Sequence, residues 1–361
     1  MSDFATQAAA FLGVATASVR GIGNVATQLA SVGSGAALLP VSINSCEPDN
    51  SWVCSPHTAY CRYAIEELHR FGHPLLTKPV SLVCRGLGGY LRAQRIDQAV
   101  AVNNWLLSTN VYPALDPGAL RACIDEAAQR WPQHAIWFRS LNPRYTQDWL
   151  EALEAAGCVL IASRQVYLYD RIALDGPMPK DLARDLRLLR STQLVASTAS
   201  EWRAADFTRA ADLYAQLYLQ KYSRLNPEYS AEFLQAWHRV GLLELIGYRD
   251  AQGILQAVVG LFAIDRTITV PIVGYDIQLP QKLGLYRLLM ATAYQAAARR
   301  GARINLSAGA AEFKRLRGGI GTMEYSAVYA RHLSKPRRRA IGLLGTLATR
   351  IGEPIMKRFQ L

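Results

Sequence analysis

The 361-residue sequence lacks an apolar run of about twenty residues, the length that a membrane-spanning helix needs. Its first residues lack the basic region of a signal peptide, and Arg20 interrupts their apolar stretch. It also contains no G-x-S-x-G elbow, no phosphate loop of the G-x-x-x-x-G-K-[ST] type and no H-E-x-x-H zinc motif. We therefore expect a cytoplasmic protein that uses none of these chemistries.

Acidic residues are scarce relative to basic ones. There are 28 Asp and Glu against 40 Lys and Arg, a formal net charge of +12. This excess favours an anionic partner, which could be nucleic acid, anionic lipid or a phosphate-bearing cofactor, and charge alone does not select among them. Half of the residues are apolar and only 19% are charged, so the chain has enough apolar surface for real cores. Its length predicts two domains.

Cysteine is also scarce, and its spacing suits no metal site. The six cysteines are Cys46, Cys54, Cys61, Cys84, Cys123 and Cys158. The first three lie near His57, but none of them has the short spacing of a zinc ribbon. The other three lie in apolar patterns that are typical of buried thiols. We expect no metal, and the scattered pattern fits a reducing compartment.

One stretch combines the signals of an anion site. Residues 267–275 have the Val, Ile and Thr content of a strand, Pro280 and Gly284 break that pattern, and apolar residues then recur at helical spacing over residues 285–300. The first N–H groups of such a helix face whatever lies over the preceding loop. The candidate binding residues for an anionic cofactor are Gln281, Lys282, Leu283, Gly284, Leu285 and Arg287.

The loop from Gln281 to Tyr286 resembles the acyl-CoA pyrophosphate loop of GNAT acyltransferases, Q/R-x-x-G-x-G/A. Gln281 and Gly284 match that pattern, whereas Tyr286 replaces its last small residue. Farther along, Phe313 and Lys314 follow a glycine-bearing loop, which resembles the Fem-like, peptidoglycan-bridge-like branch of the superfamily. The resemblance implies an α/β (α+β) protein with two GNAT-like domains, each a mixed, largely antiparallel sheet flanked by helices.

We divide the chain into five segments. Residues 1–38 are expected to form a tail or a marginal helix, 39–172 an N-terminal GNAT-like domain, 173–191 a linker, 192–333 the C-terminal acyltransferase domain, and 334–361 a basic amphipathic tail. In the N-terminal domain, the four residues 86–89 contain three glycines and predict the turn of a β-hairpin.

The last segment is rich in Lys and Arg and keeps apolar residues at helical spacing. A basic amphipathic helix can lie on an anionic membrane surface, so we expect a possible peripheral position on the inner face of the membrane through residues 335–361. The alternative is a tail that packs on its own domain, and the sequence favours neither.

Acyl transfer to an amine needs a base for the amine, a donor for the oxyanion and a proton for the leaving thiolate. Asp276 and Glu312 are the candidate bases, with Glu244 as a third, and Tyr286 or Tyr275 is the candidate proton donor. Lys314 is the candidate group for binding a carboxylate or phosphate, or for orienting the donor. For each residue a structural role is the alternative.

The resemblance implies an N-acyltransferase that carries an acyl group from acyl-CoA, or from an acyl carrier thioester, to a small-molecule amine. The first alternative is Fem-type transfer from aminoacyl-tRNA, although no heptad run predicts the coiled-coil arm that many such enzymes carry. The second alternative is a non-catalytic membrane-surface or scaffold protein with a degenerate acyltransferase fold, which the unusual Tyr286 would suit. Nucleic acid other than tRNA is not expected as a partner.

Overall fold

The computed structural model describes residues 4–71, 74–172 and 176–359. Residues 1–3, 72–73, 173–175 of the predicted linker and 360–361 lie outside the described residues. The helices are α1 Phe4–Gly13, α2 Ala15–Arg20, α3 Tyr63–Phe71, α4 Pro74–Ala93, α5 Pro117–Arg130, α6 Gln147–Ala155, α7 Lys180–Ser191, α8 Ala204–Ala215, α9 Ala231–Arg239, α10 Leu285–Arg299, α11 Ala311–Arg315, α12 Lys335–Leu347 and α13 Glu353–Phe359. The strands are β1 Gln28–Val32, β2 Leu39–Ser45, β3 Gln98–Val102, β4 Ala135–Leu141, β5 Val159–Tyr169, β6 Val195–Thr198, β7 Glu244–Arg249, β8 Leu255–Ile264, β9 Thr267–Tyr275, β10 Arg303–Asn305 and β11 Ile320–Tyr329.

Contacts divide the chain into two compact units. Unit 1 contains residues 1–23, 166–224 and 228–321, and unit 2 contains residues 24–165, 225–227 and 322–361. The predicted bounds placed a single divide at residues 173–191. The chain instead passes between the units several times, because its first residues belong to unit 1 and its last forty to unit 2.

The sheet of unit 1 is mixed and mainly antiparallel. Strands β6, β7, β8 and β9 pair antiparallel in that order, β9 pairs parallel with β10, and β10 pairs antiparallel with the end of β5. Helix α10 buries Leu288, Leu289 and Tyr294 in the core that also takes up Val259 and Ile304. The predicted strand over residues 267–275 and the helix that follows it are confirmed.

The strands of unit 2 also pair in a mixed arrangement. Strands β1, β2 and β3 pair antiparallel, β3 pairs parallel with β4, and β4 pairs antiparallel with β11. Trp137, Leu91 and Val328 lie in its buried core. The predicted fold class, an α/β (α+β) chain with mixed, largely antiparallel sheets flanked by helices, is confirmed.

The predicted hairpin across residues 86–89 is wrong. These residues lie inside the 20-residue helix α4. A Cβ on Gly88 would stand 3.1 Å from His57 Nε2 and 3.3 Å from Cys61 Cβ. This glycine therefore allows α4 to approach the neighbouring helical segment closely, a use of glycine that has the same sequence signature as a turn.

Two other segments are more structured than predicted. In the N-terminal segment, Phe11 of α1 is fully buried against Trp237, with ring centroids 5.5 Å apart, and residues 28–32 form the strand β1 that the sequence did not predict. In the predicted linker, α7 buries Leu182 and Leu186 in the core of unit 1. Strand β1 was not predicted because its residues are mostly small or polar. The buried face of α7 was not predicted because most of the helix is charged.

The basic C-terminal segment packs on its own unit. Ala340, Ile341 and Leu344 of α12 are buried in the core of unit 2. The apolar face of this helix is therefore occupied by protein, as in the second of the two alternatives. On the basic face, Arg337 donates to the carbonyl oxygens of Arg95 and Gln98 at 3.1 and 3.3 Å.

Helix α8 begins with a carboxylate that serves two partners. Asp206 Oδ2 accepts from the backbone N–H of Arg203 at 2.8 Å, and Oδ1 accepts from Arg249 Nη1 at 2.8 Å. The hydrogen bond from Arg249 holds the pKa of Asp206 below its usual value. Because this pKa is lower in the folded state, the stabilisation is present above the ordinary carboxyl pKa and is lost as the pH falls through the folded value.

We therefore expect Asp206→Asn to lower the free energy of unfolding by about 1 kcal/mol at pH 7, the usual worth of a capping interaction. The deficit relative to the unmodified protein should shrink as the pH falls below about 4, near the ordinary pKa of an Asp carboxyl. Urea unfolding between pH 3 and 7 measures this. Asp212→Asn, on the exposed side of the same helix, is the control. A deficit that does not depend on pH would contradict the role of the charge.

Candidate functional site

The edges of β9 and β10 separate in the middle of the sheet of unit 1. The parallel register pairs Arg303 with Thr267 and ends with Asn305 opposite Thr269. Strand β9 continues to Tyr275, six residues beyond that point, while β10 ends at Asn305. Beyond Thr269, the side of β9 that faces β10 is therefore no longer paired with that strand.

The loop that follows β9 is held by an ion pair. Asp276 Oδ2 accepts from Arg209 Nη2 at 2.7 Å, and Oδ1 accepts from the backbone N–H of Gln278 at 2.9 Å. The backbone N–H of Asp276 donates to the carbonyl of Gln256 at 2.9 Å. Both carboxylate oxygens of this predicted base thus have partners, and the contacts shape the loop.

Gly284 joins the loop to α10. Its φ of 63° and ψ of 34° lie in the left-handed region, and a Cβ there would stand 2.9 Å from Leu188 Cδ2. Glycine meets both requirements because it has no Cβ. Gln281, Lys282 and Leu283 form an exposed helical turn before it.

The N-terminus of α10 has the properties of an anion site. No side chain of the described residues caps this 15-residue helix. The first N–H groups therefore remain for solvent or a ligand, and the positive end of the helix dipole lies there. Leu285 is buried, whereas the Arg287 side chain keeps 41% of its surface exposed.

Tyr286 packs inward rather than lining the loop. Its ring lies 4.9 Å from that of Phe313 and 6.4 Å from that of Tyr275. Burial raises the pKa of Tyr286 well above its usual value, and burial also raises the pKa of Tyr275. Both phenols therefore keep their protons at neutral pH and can serve as hydrogen-bond donors. Tyr286, which replaces the small residue of the loop pattern, thus packs its ring against those of Phe313 and Tyr275.

A buried carboxylate joins α7, α10 and the segment after α11. Asp185 is fully buried, accepts from Arg287 Nε at 2.6 Å through Oδ1, and accepts from Arg317 Nε through Oδ2. Arg317 is itself buried and donates to the carbonyl of Phe313 at 2.8 Å. Two cations around one anion leave one net positive charge near the start of α10.

Lys314 has a structural place. Its side chain is 3% exposed, and Nζ donates to the carbonyl oxygens of Leu306, Ser307 and Ala308 at 2.7, 3.2 and 2.7 Å. An ammonium has three N–H groups, so these contacts use all of its donors. The lysine orders the loop after β10, and the predicted contact with a donor phosphate is not what the structure shows.

The structure brings together some of the predicted site residues and separates others. The loop residues, Tyr286 and Arg287 lie at the start of α10, whereas Lys314 binds the loop after β10. Glu312 is exposed on α11, and Glu244 pairs with Arg300 at the opposite end of α10. The sequence did not identify Asp185, Arg209 or Arg317. For Asp185 a signal existed, because it shares a helix face with Leu182 and Leu186.

Two absences apply to the described part of the chain. Within it, no group of three His, Cys, Asp or Glu side chains is placed to hold a metal ion. Within the same residues, no helix has the length and apolarity needed to cross a bilayer.

A separated pair of parallel strands, joined through a loop and an uncapped helix, defines a GNAT-type transferase fold. Residues 178–315 match the family model described as an acetyltransferase (GNAT) domain. The match begins before α7, which shows that this helix belongs to the domain rather than to a linker. A search of curated protein sequences found no match.

Solved structures align with this chain at low sequence identity. FemX aligns over 68% of this chain and 83% of its own, with a TM-score of 0.50 and 11% identity. The L-PGS of Bacillus licheniformis aligns over 64% and 78%, with a TM-score of 0.46 and 13% identity. A tandem GNAT protein from the clavulanic acid biosynthesis pathway aligns over 66% and 76%, with a TM-score of 0.38 and 12% identity. Of the three, FemX supports the fold assignment, and the predicted resemblance to Fem-like GNAT proteins is confirmed. The match to the acetyltransferase (GNAT) domain model indicates an acetyltransferase-type enzyme.

The network around Asp185 makes a testable prediction for stability. Replacing Asp185 with Asn leaves the buried Arg317 without its charged partner, and breaking a buried ion pair in this way costs about 3 kcal/mol. We expect amide hydrogen exchange in α10 to speed up accordingly. Asp181→Asn, which breaks an exposed pair with Arg184 on the same helix, should change exchange by less than about 0.5 kcal/mol. Equal effects of the two variants would contradict the structural weight given to Asp185.

Proposed function

We propose that this protein is an N-acyltransferase that takes its acyl group from an acyl-CoA thioester and delivers it to a small-molecule amine. The observation that supports this most directly is the separation of β9 from β10 next to the uncapped start of α10. Both lie within the segment that matches the GNAT domain.

The reaction needs no group beyond the two substrates and proton carriers. The amine nitrogen attacks the thioester carbonyl, a C–N bond forms, and the C–S bond breaks. The amine gives up a proton and the departing thiolate takes one, so the products are an amide and free CoA. Such a reaction gains most from positioning and from donors aimed at the oxyanion.

The chain's own groups suit these tasks to different degrees. The N–H groups at the start of α10, with Lys282 and the net positive Arg287–Asp185–Arg317 cluster nearby, would bind the pyrophosphate. The free edge of β9 would hold the extended arm of the donor. Tyr275 and Tyr286 stay protonated and could each donate a hydrogen bond to the departing thiolate. Glu312 is exposed and therefore better placed than the ion-paired Asp276 to accept a proton.

Gly284→Glu tests the donor site. The new carboxylate would stand against the phosphates and its side chain would fill the approach to the helix N-terminus, so we expect no measurable binding of acetyl-CoA or longer acyl-CoAs by calorimetry. The left-handed φ and the contact with Leu188 add a stability cost of about 1–2 kcal/mol.

The matched control is Gly301→Glu, at the other end of α10. Gly301 also has a left-handed φ, 57°, and a Cβ there would meet nothing within 4 Å. This variant therefore carries the same charge and the same backbone strain away from the proposed site, and it should bind the donor as the unmodified protein does. Loss of binding in both variants, or in neither, would contradict the proposed donor site. Failure of the unmodified protein to bind any acyl-CoA would contradict the function itself.

Aminoacyl transfer from tRNA is the second candidate. The fold likeness to FemX and the net charge of +12 favour it. Phosphate contacts release counterions, so specific tRNA binding should weaken steeply between about 50 and 200 mM salt. If aminoacyl-tRNA binds in this way and acyl-CoA does not, the donor is tRNA. If neither acyl-CoA nor aminoacyl-tRNA binds, both transferase proposals are contradicted and the result favours the non-catalytic interpretation.

Both proposals place the reaction in the cytoplasm. All six cysteines are free thiols in the structure, which suits a reducing compartment.

A further inference from the structure

Unit 2 contains a cavity that the proposed transfer reaction does not use. It lies over the sheet face formed by alternate residues of β3, β4, β5 and β11, and the volume open to a water-sized sphere is about 30 Å³. Every lining residue belongs to unit 2. A cavity of this size exceeds what one water molecule requires.

Small side chains create the space. Ala99 and Ala101 of β3, Ser163 of β5 and Ser326 of β11 line the cavity where larger residues would fill it. Aromatic rings form other parts of the wall, including those of Trp52, Tyr60 and Trp137. A cavity that is lined mainly by apolar and aromatic side chains and by a few polar groups is typical of small-ligand sites.

Charged groups concentrate at one side of the cavity. Arg139 and Glu324 line it, and Arg164 Nε donates to Glu324 Oε1 at 2.7 Å. The two guanidinium groups also lie over the ring of Trp52, at 5.2 and 5.0 Å from its centroid. Burial lowers the pKa of Arg139, and the positive charge of Arg164 lowers it further. Because two guanidinium groups lie beside one carboxylate, this region has a net charge of one positive unit.

Two residues that line the cavity each hold a buried polar atom without a partner in the described part of the chain. Within the described residues, Glu324 Oε2 and Trp137 Nε1 are buried and make no hydrogen bond. Both hydrogen bonds that the Arg139 side chain makes to described residues leave from Nη1, to Val53 and Asn104, at 2.8 and 3.0 Å. The lining residues thus carry an anionic acceptor and N–H donors that these contacts do not use. Leaving such groups unpaired is unfavourable, because each loses the hydrogen bonds that it makes to water in the unfolded chain.

We propose that this cavity binds a small zwitterion that carries an ammonium group and a carboxylate close together, as an α-amino acid does. The ammonium would donate to Glu324 Oε2, and the carboxylate would accept from Trp137 Nε1 and the Arg139 guanidinium. The bound carboxylate supplies the missing negative charge, and the ammonium pairs with a carboxylate oxygen that is otherwise unpartnered. A simple anion would leave Glu324 unsatisfied, and a simple cation would add to an existing excess of positive charge.

Calorimetry with matched probes tests the proposal on the full-length protein. Glycine carries both groups, N-acetylglycine lacks the ammonium, and glycine methyl ester lacks the carboxylate. We expect glycine or a larger amino acid of the same type to bind, and the two blocked forms to bind at least about tenfold more weakly, since each loses a charge-assisted contact. L-serine and glycerophosphoserine, titrated in parallel, separate a free amino acid from the same group carried by a lipid headgroup.

Variants assign the binding to this cavity. Trp137→Phe removes one N–H donor with little change of shape and should weaken amino-acid binding about fivefold, the worth of one hydrogen bond. Glu324→Gln keeps an oxygen for Arg164 and removes the negative charge, so it should weaken amino acids at least about tenfold while leaving N-acetylglycine unaffected. Asp125→Asn, which breaks an exposed pair with Arg121 in the same unit, should change nothing.

Three results would overturn the proposal. The unmodified protein could bind none of the amino acids at millimolar concentration, it could bind the blocked forms as tightly as the free ones, or a crystal grown with glycine could show water alone in the cavity. The probe series uses the unmodified protein, so it decides the question even if Glu324→Gln does not fold. Because the probes contain no thioester, failure here leaves the donor test at Gly284 untouched.

Discussion

Unit 1 depends on one buried carboxylate. Asp185 holds Arg287 in the first turn of α10 and Arg317 beyond α11, so three segments that lie up to 132 positions apart in sequence meet at a single side chain. Removing this charge would leave a buried guanidinium unpaired, which costs more than the pair itself contributes. The same contact fixes the start of the helix whose N–H groups form the anion site. Stability and the geometry of the proposed donor site therefore depend on the same residue.

The sequence predicted the structure correctly where neighbouring residues along the chain determine it. The strand β9, the break at Gly284 and the helix α10 follow from composition, turn chemistry and periodicity, and each is present as predicted. The predictions were wrong where contacts with residues that are distant in sequence determine the local structure. The glycine-rich segment of α4 could not be distinguished from a turn without knowing that His57 and Cys61 lie against Gly88. Helix α7 looked like a linker because its buried face is narrow and its remaining surface is charged.

The candidate site shows the same division. Its position at the end of β9 could be inferred from the chain, because a strand, a loop and a helix in sequence place their junction at one edge of the sheet. The roles of single side chains could not. Lys314 and Asp276 carry the charges that suggested catalysis, yet each has its polar atoms committed to neighbouring groups. Only the contacts distinguish a lysine that orders a loop from one that binds a phosphate.

The two units differ in whether their buried polar and charged groups have hydrogen-bond partners. In unit 1 the buried groups Asp185, Lys314 and Arg317 all have strong partners at hydrogen-bond distance. In unit 2 the walls of one cavity hold a carboxylate oxygen and an indole N–H that have none among the described residues. A fold gains nothing from desolvating such groups, because each loses its hydrogen bonds to water. Small side chains beneath them keep the space open at a further cost in packing. Groups placed at this cost are best explained by a ligand that supplies the missing partners.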